Sequence, residues 1–511
     1  MSDIPAFVPV VIVGAGPVGV TAATLLAQQG VDCLLLDRWS NVYPQPRAVH
    51  IDDEVRRIVG RLGVADQFAA ISRPAQGLQL RDPNQKVLSQ FRRERAESAN
   101  GYPQANMFDQ PELETLLRSN LKHYPHAVFR GDSEVTEVSQ LGEGRIRVTF
   151  ADKMSGQGHH VETTYLLGCD GANSLVRTAT GASMRDMGFE QRWLVVDVTT
   201  DAELNQWDGV HQVCDPHRAG TFMRVGPNRY RWEFRLLSGE TADDFNTVAT
   251  LYPLIRPWVE GVEPGRLQLV RVAEYTFRAR VADHWRRGNV FLLGDAAHLT
   301  PPFIGQGLCA GLRDAMNLGW KLAGVVNGWL PESVLDSYED ERKPHATYMI
   351  RFALAMGLTM TAGGEVGNLL RRLALPRLHL IPGLRDKVVD STTPALRQSA
   401  LVIKHGGRRG LAGRLCPNPV LANGKRFDEV VGQRFAVVSS APLSEQQHDE
   451  LARRGAVVVA AEPGTELARW LRRGRATAVV VRPDGTVMYA VSDVAEMGRP
   501  LPVFAPSGAD A

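Results

Sequence analysis

Between Val10 and Asp37 the chain gives up most of its freedom to fold in any other way. Val10-Val11-Ile12-Val13 is a short apolar run, Gly14-Ala15-Gly16-Pro17-Val18-Gly19 follows at once, and apolar residues then recur through Ala22, Leu25 and Leu26 at helical spacing. Gly30 closes the helix, and Val31 to Leu36 leads into Asp37. The order predicts strand, tight turn, helix and strand, a βαβ unit of the kind that holds a dinucleotide. Each glycine has its own task. Gly14 permits the turn, Gly16 lets backbone approach a pyrophosphate, and Gly19 lets the helix pack close to the strand. The helix start presents unpaired N–H groups and the positive end of its dipole to the phosphates. Val13 and Pro17 flank the turn, Asp37 is placed for a ribose hydroxyl, and Arg38 follows it. By itself the unit does not distinguish FAD from NAD.

At 511 residues the chain has material for two to four domains. Its 58 basic and 56 acidic side chains nearly cancel, with no basic run interleaved with aromatics, which argues against a nucleic-acid partner. No apolar stretch is long enough to span a bilayer, and Met1 to Pro9 lacks a basic leader, so the expectation is a cytoplasmic protein off the membrane. Cys33, Cys169, Cys214, Cys309 and Cys416 are widely spaced and never form CxxC. That spacing fits a reducing compartment and small core residues, and argues against structural zinc or a dithiol flavin reductase. No metal is expected.

Beyond Asp37, a proline-broken loop carries Arg47, where it could reach phosphates or a substrate mouth, and His50, read as a loop packing residue. Leu78, Leu80, Val87 and Leu88 suggest a hairpin. Asp109 is expected to cap a helix with Pro111 just inside it, and Gln110 sits at that helix start. Val128 to Val138 and Arg145 to Phe150 read as strands of a small antiparallel layer. Tyr165 to Asp170 is a strand ending in Asp-Gly, and Asp170 reads equally as the cap of the next helix, which carries Arg177, or as a site residue.

In Arg229 to Leu236 strict alternation puts Tyr230, Trp232, Phe234 and Leu236 on one face and charges on the other. The aromatic face suits plain core or the roof of a pocket for a flat ring. Asn289 to His298 is a buried strand running into Leu293-Gly294-Asp295-Ala296, followed by a rigid loop with Pro302, Gly305 and Gly307. A helix then continues through Leu308, Leu312, Ala315, Leu318 and Leu322. Its N-terminus is a seat for the electron-rich N1/O2 edge of a reduced flavin, Asp295 is placed to accept from a ribityl hydroxyl, and His298 is read as structural.

Together these three elements resemble the single-component FAD-dependent aromatic hydroxylases of the para-hydroxybenzoate hydroxylase type. Gly14 to Gly19 matches the first fingerprint, Cys169-Asp170-Gly171 with Ser174 and Arg177 the second, and Gly294-Asp295 with Pro302 and Gly305-Gln306-Gly307 the third. Arg47 and Gln110 fall where that family has flavin-contacting residues. Within the group the chain is most similar to 3-(3-hydroxyphenyl)propionate and 3-hydroxycinnamate hydroxylases. The residues that carry this are Pro46 to Glu54, Cys214-Asp215-Pro216, Arg231 to Phe234, Gly239-Glu240-Thr241 and Gly311 to Ala315.

The resemblance implies an α/β protein: a Rossmann-like FAD-binding domain in three parts (1–76, 106–186, 276–345) interleaved with a mixed-sheet substrate domain (77–105, 187–275). Linking helices (346–417) and a thioredoxin-like C-terminal domain (418–511) complete the plan. With no CxxC, that last domain is expected to serve packing or a homodimer. The implied reaction is hydroxylation of a small phenol ortho to its hydroxyl, with FAD, O2 and transient NADH or NADPH; no second fingerprint provides a nicotinamide fold. The catalytic base is not legible. For a propionate carboxylate, Arg218, Arg224, Arg229 and Arg231 are the nominated partners. A hydroxylase of bulkier phenolics shares these features, as would a flavin-binding regulator without turnover.

Overall fold

The computed structural model describes residues 5–44, 47–93, 96–204, 206–361, 393–404, 410–497 and 501–504. At its centre, strand Phe7–Val13 pairs in parallel with Cys33–Leu36 on one side and Gly158–Gly168 on the other. Ala127–Arg130 and Val290–Leu292 extend this sheet outward, also in parallel. Parallel strands buried on both faces read as continuous apolar runs, and Val10, Val11 and Ile12 are fully buried. Helix α1 (Pro17–Ala27) crosses from the first strand to the second, as the spacing predicted. Gly30 supplies the left-handed turn after it, with φ +70°.

The expected small antiparallel layer is not separate. Val128 belongs to the parallel sheet, while Ser133–Gly142 and Arg145–Asp152 pair with each other and join the same sheet through Gly158–Gly168. Pairing with a central strand that outruns its parallel neighbours makes them an extension of it.

A second sheet of eight strands holds Met184–Thr199 and Gln268–Ala282 at its centre, then Arg229–Arg235, Gly220–Arg224 and Val210–Val213. The hairpin Gly77–Arg81 with Val87–Arg92 is added to its edge, Gly77–Arg81 running parallel to Val210–Val213. This sheet is mixed, as expected. The aromatic stripe of Arg229–Arg235 is core: Tyr230, Trp232 and Phe234 pack with Leu194 and Val196 against Leu251, Ile255 and Trp258, the latter three in a helix at Val248–Val259. The stripe is therefore packed core, and the opposite face of the sheet is the one turned to the parallel sheet.

Helices α2 (Asp53–Arg61) and α3 (Ala65–Ile71) precede the hairpin, and α4 (Gln110–Leu121) follows it. Between them, His50–Asp52 and Ser72–Pro74 flank Ala105–Phe108 in a small sheet, so His50 opens a strand instead of lying in a loop. Helix α5 (Leu175–Thr180) and α6 (Val248–Val259) come next, and α7 (Gly307–Val326) and α8 (Asp336–Thr361) close the body. Of the linking helices expected at 346–417, α8 continues to Thr361; 362–392 lies outside the described residues, and 393–404 is irregular, with one isolated bridge between Ser399 and Val402.

The C-terminal sheet has the order Val457–Ala460, Ala436–Ser439, Ala478–Val481, Val487–Val491. Its first pair is parallel and the other two antiparallel, a βαβ unit continued by a hairpin. Helices α9 (Phe427–Val431), α10 (Glu445–Arg453) and α11 (Glu466–Arg473) accompany it. Alternation again divides the faces. Val437, Val480 and Tyr489 meet Trp320 of α7, whereas Val438, Val479 and Val481 meet Phe427 and Leu467. Among the described residues no helix is long and apolar enough to cross a membrane.

Candidate active site

Between the parallel sheet and the second sheet lies a cavity of about 1140 Å³. Two helix N-termini open into it. Gly16 is the N-cap of α1 and Gln306 that of α7, and neither helix has a side chain capping its first N–H groups. Orphan donors at a helix start are a ready anion site. A Cβ built on Gly16 would meet nothing within 4 Å, and one on Gly307 only Thr300 Cβ at 4.0 Å, so both backbones face open space.

Gly14 and Gly19 differ from Gly16. A Cβ on Gly14, at φ +103°, would lie 2.3 Å from the Cys169 carbonyl oxygen, and one on Gly19 would lie 1.9 Å from Gly14 O. These two glycines let the first and second elements close on each other, where Cys169 N donates to Val13 O at 2.8 Å. Gly19 thus packs the turn and does not line the cavity. Val13, Gly14, Pro17, Leu293, Gly294, Pro302 and Gly305 do line it. Gly294 and Gly305 turn the chain in the left-handed region, at φ +59° and +61°.

The acids take distinct positions. Asp37 Oδ2 accepts from Ala15 N at 2.6 Å and Oδ1 from Trp39 N at 2.8 Å, which fixes the carboxylate at the end of its strand beside Arg38. Asp170 accepts from Val176 N at 3.0 Å and from Ser174 Oγ at 2.5 Å, while Ser174 is the true N-cap of α5, accepting from Arg177 N. Arg177 donates to Ala296 O, so Ala296 is a buried anchor of the Gly294–Asp295 turn and does not line the cavity. Asp295 lines the cavity with its side chain exposed. Its carboxylate has no hydrogen-bond partner among the described residues, and enclosure raises its pKa. His298 is structural, bonded to Asp314 at 2.7 Å and stacked on Trp285; Asp314 also accepts from Gly294 N and Arg342 Nε.

Arg47 and Gln110 both reach the cavity wall. Gln110 Oε1 accepts from Ala48 N at 2.5 Å and Arg47 N at 3.2 Å, and its Nε2 donates to Glu114 at 2.6 Å, so the amide ties the loop to α4. Asp109 holds the N-cap position of α4 without capping it; its carboxylate pairs with Arg229 instead. Arg231 is fully buried, donates to Asp197 at 2.8 and 2.9 Å, and reaches Arg47 O at 2.9 Å.

The nominated arginines therefore do not face the cavity. Arg218 pairs with Glu240, Arg224 with the carbonyls of Gly226 and Pro227, Arg229 with Asp109 and Arg231 with Asp197. What the residue reading missed is the sheet wall itself. Trp193, Val195, Gln212, Thr221, Met223, Glu233, Tyr275 and Phe277 line the cavity, each on the face opposite the packed stripe. The period of two carried this signal once the stripe is known to be core. Burial raises the Glu233 carboxyl despite Arg231 nearby. His50 also lines the wall beside Gly305, and burial with Arg93 close by pushes its pKa down to about 4, which keeps the ring neutral.

Two uncapped helix starts, an open glycine backbone and an unpartnered carboxylate on one cavity wall fit a flavin dinucleotide. The comparisons agree. Residues 7–353 match the FAD binding domain family. The chain belongs to the FAD-dependent hydroxylases. It is 34% identical over 528 residues to a 3-(3-hydroxy-phenyl)propionate/3-hydroxycinnamic acid hydroxylase of Burkholderia cenocepacia (strain HI2424), covering 97% of this chain and 96% of the relative. A probable NADH-specific resorcinol 4-hydroxylase of Rhodococcus jostii (strain RHA1) is 31% identical over 510 residues, covering 96% and 93%. In fold the hydroxylase is similar to the flavin-dependent monooxygenase PieE in complex with FAD and substrate (TM-score 0.81, 23% identity, 96% of each chain). It is also similar to aklavinone-11 hydroxylase with FAD and aklavinone (TM-score 0.76, 24% identity, 96% of each chain). FAD is its cofactor, and aromatic hydroxylation its class of reaction.

Proposed function

We propose that the hydroxylase acts on 3-(3-hydroxyphenyl)propionate or 3-hydroxycinnamate and inserts one oxygen ortho to the phenol, giving the 2,3-dihydroxy product. In balance, the phenol, O2, NADH or NADPH and a proton yield the catechol, oxidised nicotinamide and water. The observation that carries this is the continuity of one cavity from the two uncapped helix N-termini to a wall bearing Trp193, Tyr275 and Phe277. Similarity to hydroxylases that carry these substrates in their names selects among phenols.

We assign the pyrophosphate to the Gly14–Gly16–Pro17 turn, the adenosine ribose to Asp37 and Arg38, and the ribityl chain to Asp295. The electron-rich flavin edge belongs at Gly305–Gly307, with Arg47 and Gln110 closing the cofactor from the loop side. Bound FAD supplies oxygen activation and transfer. The chain's own residues hold the ring against the sheet wall and exclude water, which keeps reducing equivalents from being lost as peroxide.

A second phenol, resorcinol, which has no carboxylate, is favoured by similarity over 96% of the chain to a relative that carries it in its name. Oxygen-dependent oxidation of NADH and of NADPH, measured with each phenol and with mass detection of product, separates the readings. A catechol one oxygen heavier from the propionate supports the first; turnover of resorcinol alone supports the second. Oxidation that yields only peroxide with both points to a bulkier aromatic.

A further inference from the structure

The C-terminal domain grips α2 on one side and α7 with α8 on the other, and α7 starts at the cavity. On α2, Arg57 and Arg61 lie four residues apart on one face and both hold Asp428 of α9. Arg57 reaches its carboxylate at 2.6 Å through Nε and Nη2, and Arg61 at 2.8 and 2.5 Å. The same arginines donate to Cys416 O and Pro483 O. The other end of α2 is capped by Asp52, whose Oδ1 accepts from Val55 N. Its Oδ2 accepts from Gln306 Nε2 at 2.9 Å and Arg313 Nη2 at 2.5 Å. Gln306 is the N-cap of α7 and lines the cavity.

The second grip is on α7 and α8. Arg482, fully buried, donates to Glu341 at 2.8 Å and pairs with Asp484. Glu341 accepts from Lys321 at 2.9 Å and Asn317 at 2.7 Å, both on α7. Lys321 lies about 21 Å along the helix axis from Gly307. Docking alone does not call for these charges. Trp320 of α7 already meets Phe435 and Phe504 edge to face, with centroids 5.5 and 5.7 Å apart. Buried ion pairs add little net stability over apolar contacts, but their directional bonds fix register where an apolar face can slide.

We propose that the C-terminal domain is a positioning plate for the flavin seat, with Asp428 setting α2 and Arg482 setting α7 so that Asp52, from behind, holds Gln306 and Gly307 to the cofactor in one geometry. Asp428, Arg57, Arg61, Glu341 and Arg482 are positioning residues; none lines the cavity. The inference rests on the α7 N-terminus being the flavin's seat.

The test titrates FAD into apo-protein and records the visible spectrum of the saturated holoprotein. Asp428→Asn and Glu341→Gln are each expected to weaken FAD binding tenfold or more and to shift the bound flavin's absorbance. Glu97→Gln, which removes only the rim pair with Arg426 at 3.0 Å, is expected to leave both unchanged. Should Asp428→Asn fail to fold, Arg61→Lys keeps the charge but loses the two-pronged bond and takes its place. A lowered melting temperature with wild-type FAD affinity and spectrum overturns the proposal. Gly305→Val, which reshapes the α7 turn directly, distinguishes the two failures: if it also leaves affinity and spectrum unchanged, the seat is misassigned; if it alone alters them, only the plate falls.

Discussion

Gly14 and Gly16 stand two residues apart in one turn, yet the structure gives them opposite vulnerabilities. Gly14→Ala places a methyl at positive φ, which costs about 1–2 kcal/mol for an L-residue. It also drives that methyl to 2.3 Å from the Cys169 carbonyl oxygen, where backbone must yield at a further cost of ~1–3 kcal/mol. The apo-protein should therefore lose about 2–5 kcal/mol. Gly16 has φ −69° and open space around its Cβ position, so Gly16→Ala costs the apo-protein only ~0.5–1 kcal/mol, the usual loss of a poor N-cap. Its methyl occupies the surface assigned above to the pyrophosphate. Losing one charge-assisted backbone bond there, worth roughly 1.5–3 kcal/mol, weakens FAD binding by about tenfold to a hundredfold. Thermal melts of the apo-proteins and FAD titrations by fluorescence give both readings. The reasoning is refuted if Gly16→Ala melts as low as Gly14→Ala, or if it binds FAD like the parent.

Trp258→Ala should cost about 3–5 kcal/mol in denaturation while leaving KM for the phenol unchanged, because Trp258 packs behind the sheet; Phe277→Ala, on the cavity wall, should raise KM instead. Asp53 offers a pH test. Burial, then the neighbouring Asp52, pushes its carboxyl from 3.8 up to about 7. A pKa raised on folding gives stability that is full below pH 3.8 and is lost as pH rises through 7, so Asp53→Asn should remove that loss and be the more stable by up to about 4 kcal/mol at pH 8. Urea midpoints from pH 4 to 8 would show the curves diverging; parallel curves would contradict the assignment. Arg218→Gln should change KM for 3-(3-hydroxyphenyl)propionate by less than about twofold, since the guanidinium is already engaged by Glu240.

The fingerprints were legible because they are local. Turn, helix start and following strand lie within thirty residues of sequence at most, and the glycines' tasks follow from backbone geometry that neighbouring residues dictate. So Gly14, Gly16, Asp37, Asp170 and Gly294 stand where the chain's own order put them. Errors came where an assignment depended on a distant partner. Asp109 looks like a cap, but Arg229 lies 120 residues away and takes its carboxylate. Asp170 does serve its helix, though one turn upstream of Ser174, the residue that caps it.

The sheet wall shows the limit most clearly. Alternation in Arg229–Arg235 separates two faces but does not say which one meets the cofactor, and large aromatics look like the better lining for a flat ring. The decision is made by α6, which brings Leu251, Ile255 and Trp258 to the aromatic face and leaves the charged face toward the cavity. A charged face there is tolerable only if its charges are matched. Arg231 is fully buried and meets Asp197 from the neighbouring strand, in the register Asp197↔Arg231, leaving Glu233 as the carboxyl on the wall. That register is also why the arginines misled: a guanidinium suited to a ligand carboxylate is equally suited to a protein one. The Arg231–Asp197 pair in turn supports the Arg47 carbonyl, so one residue nominated for the substrate, Arg231, holds the Arg47 loop instead.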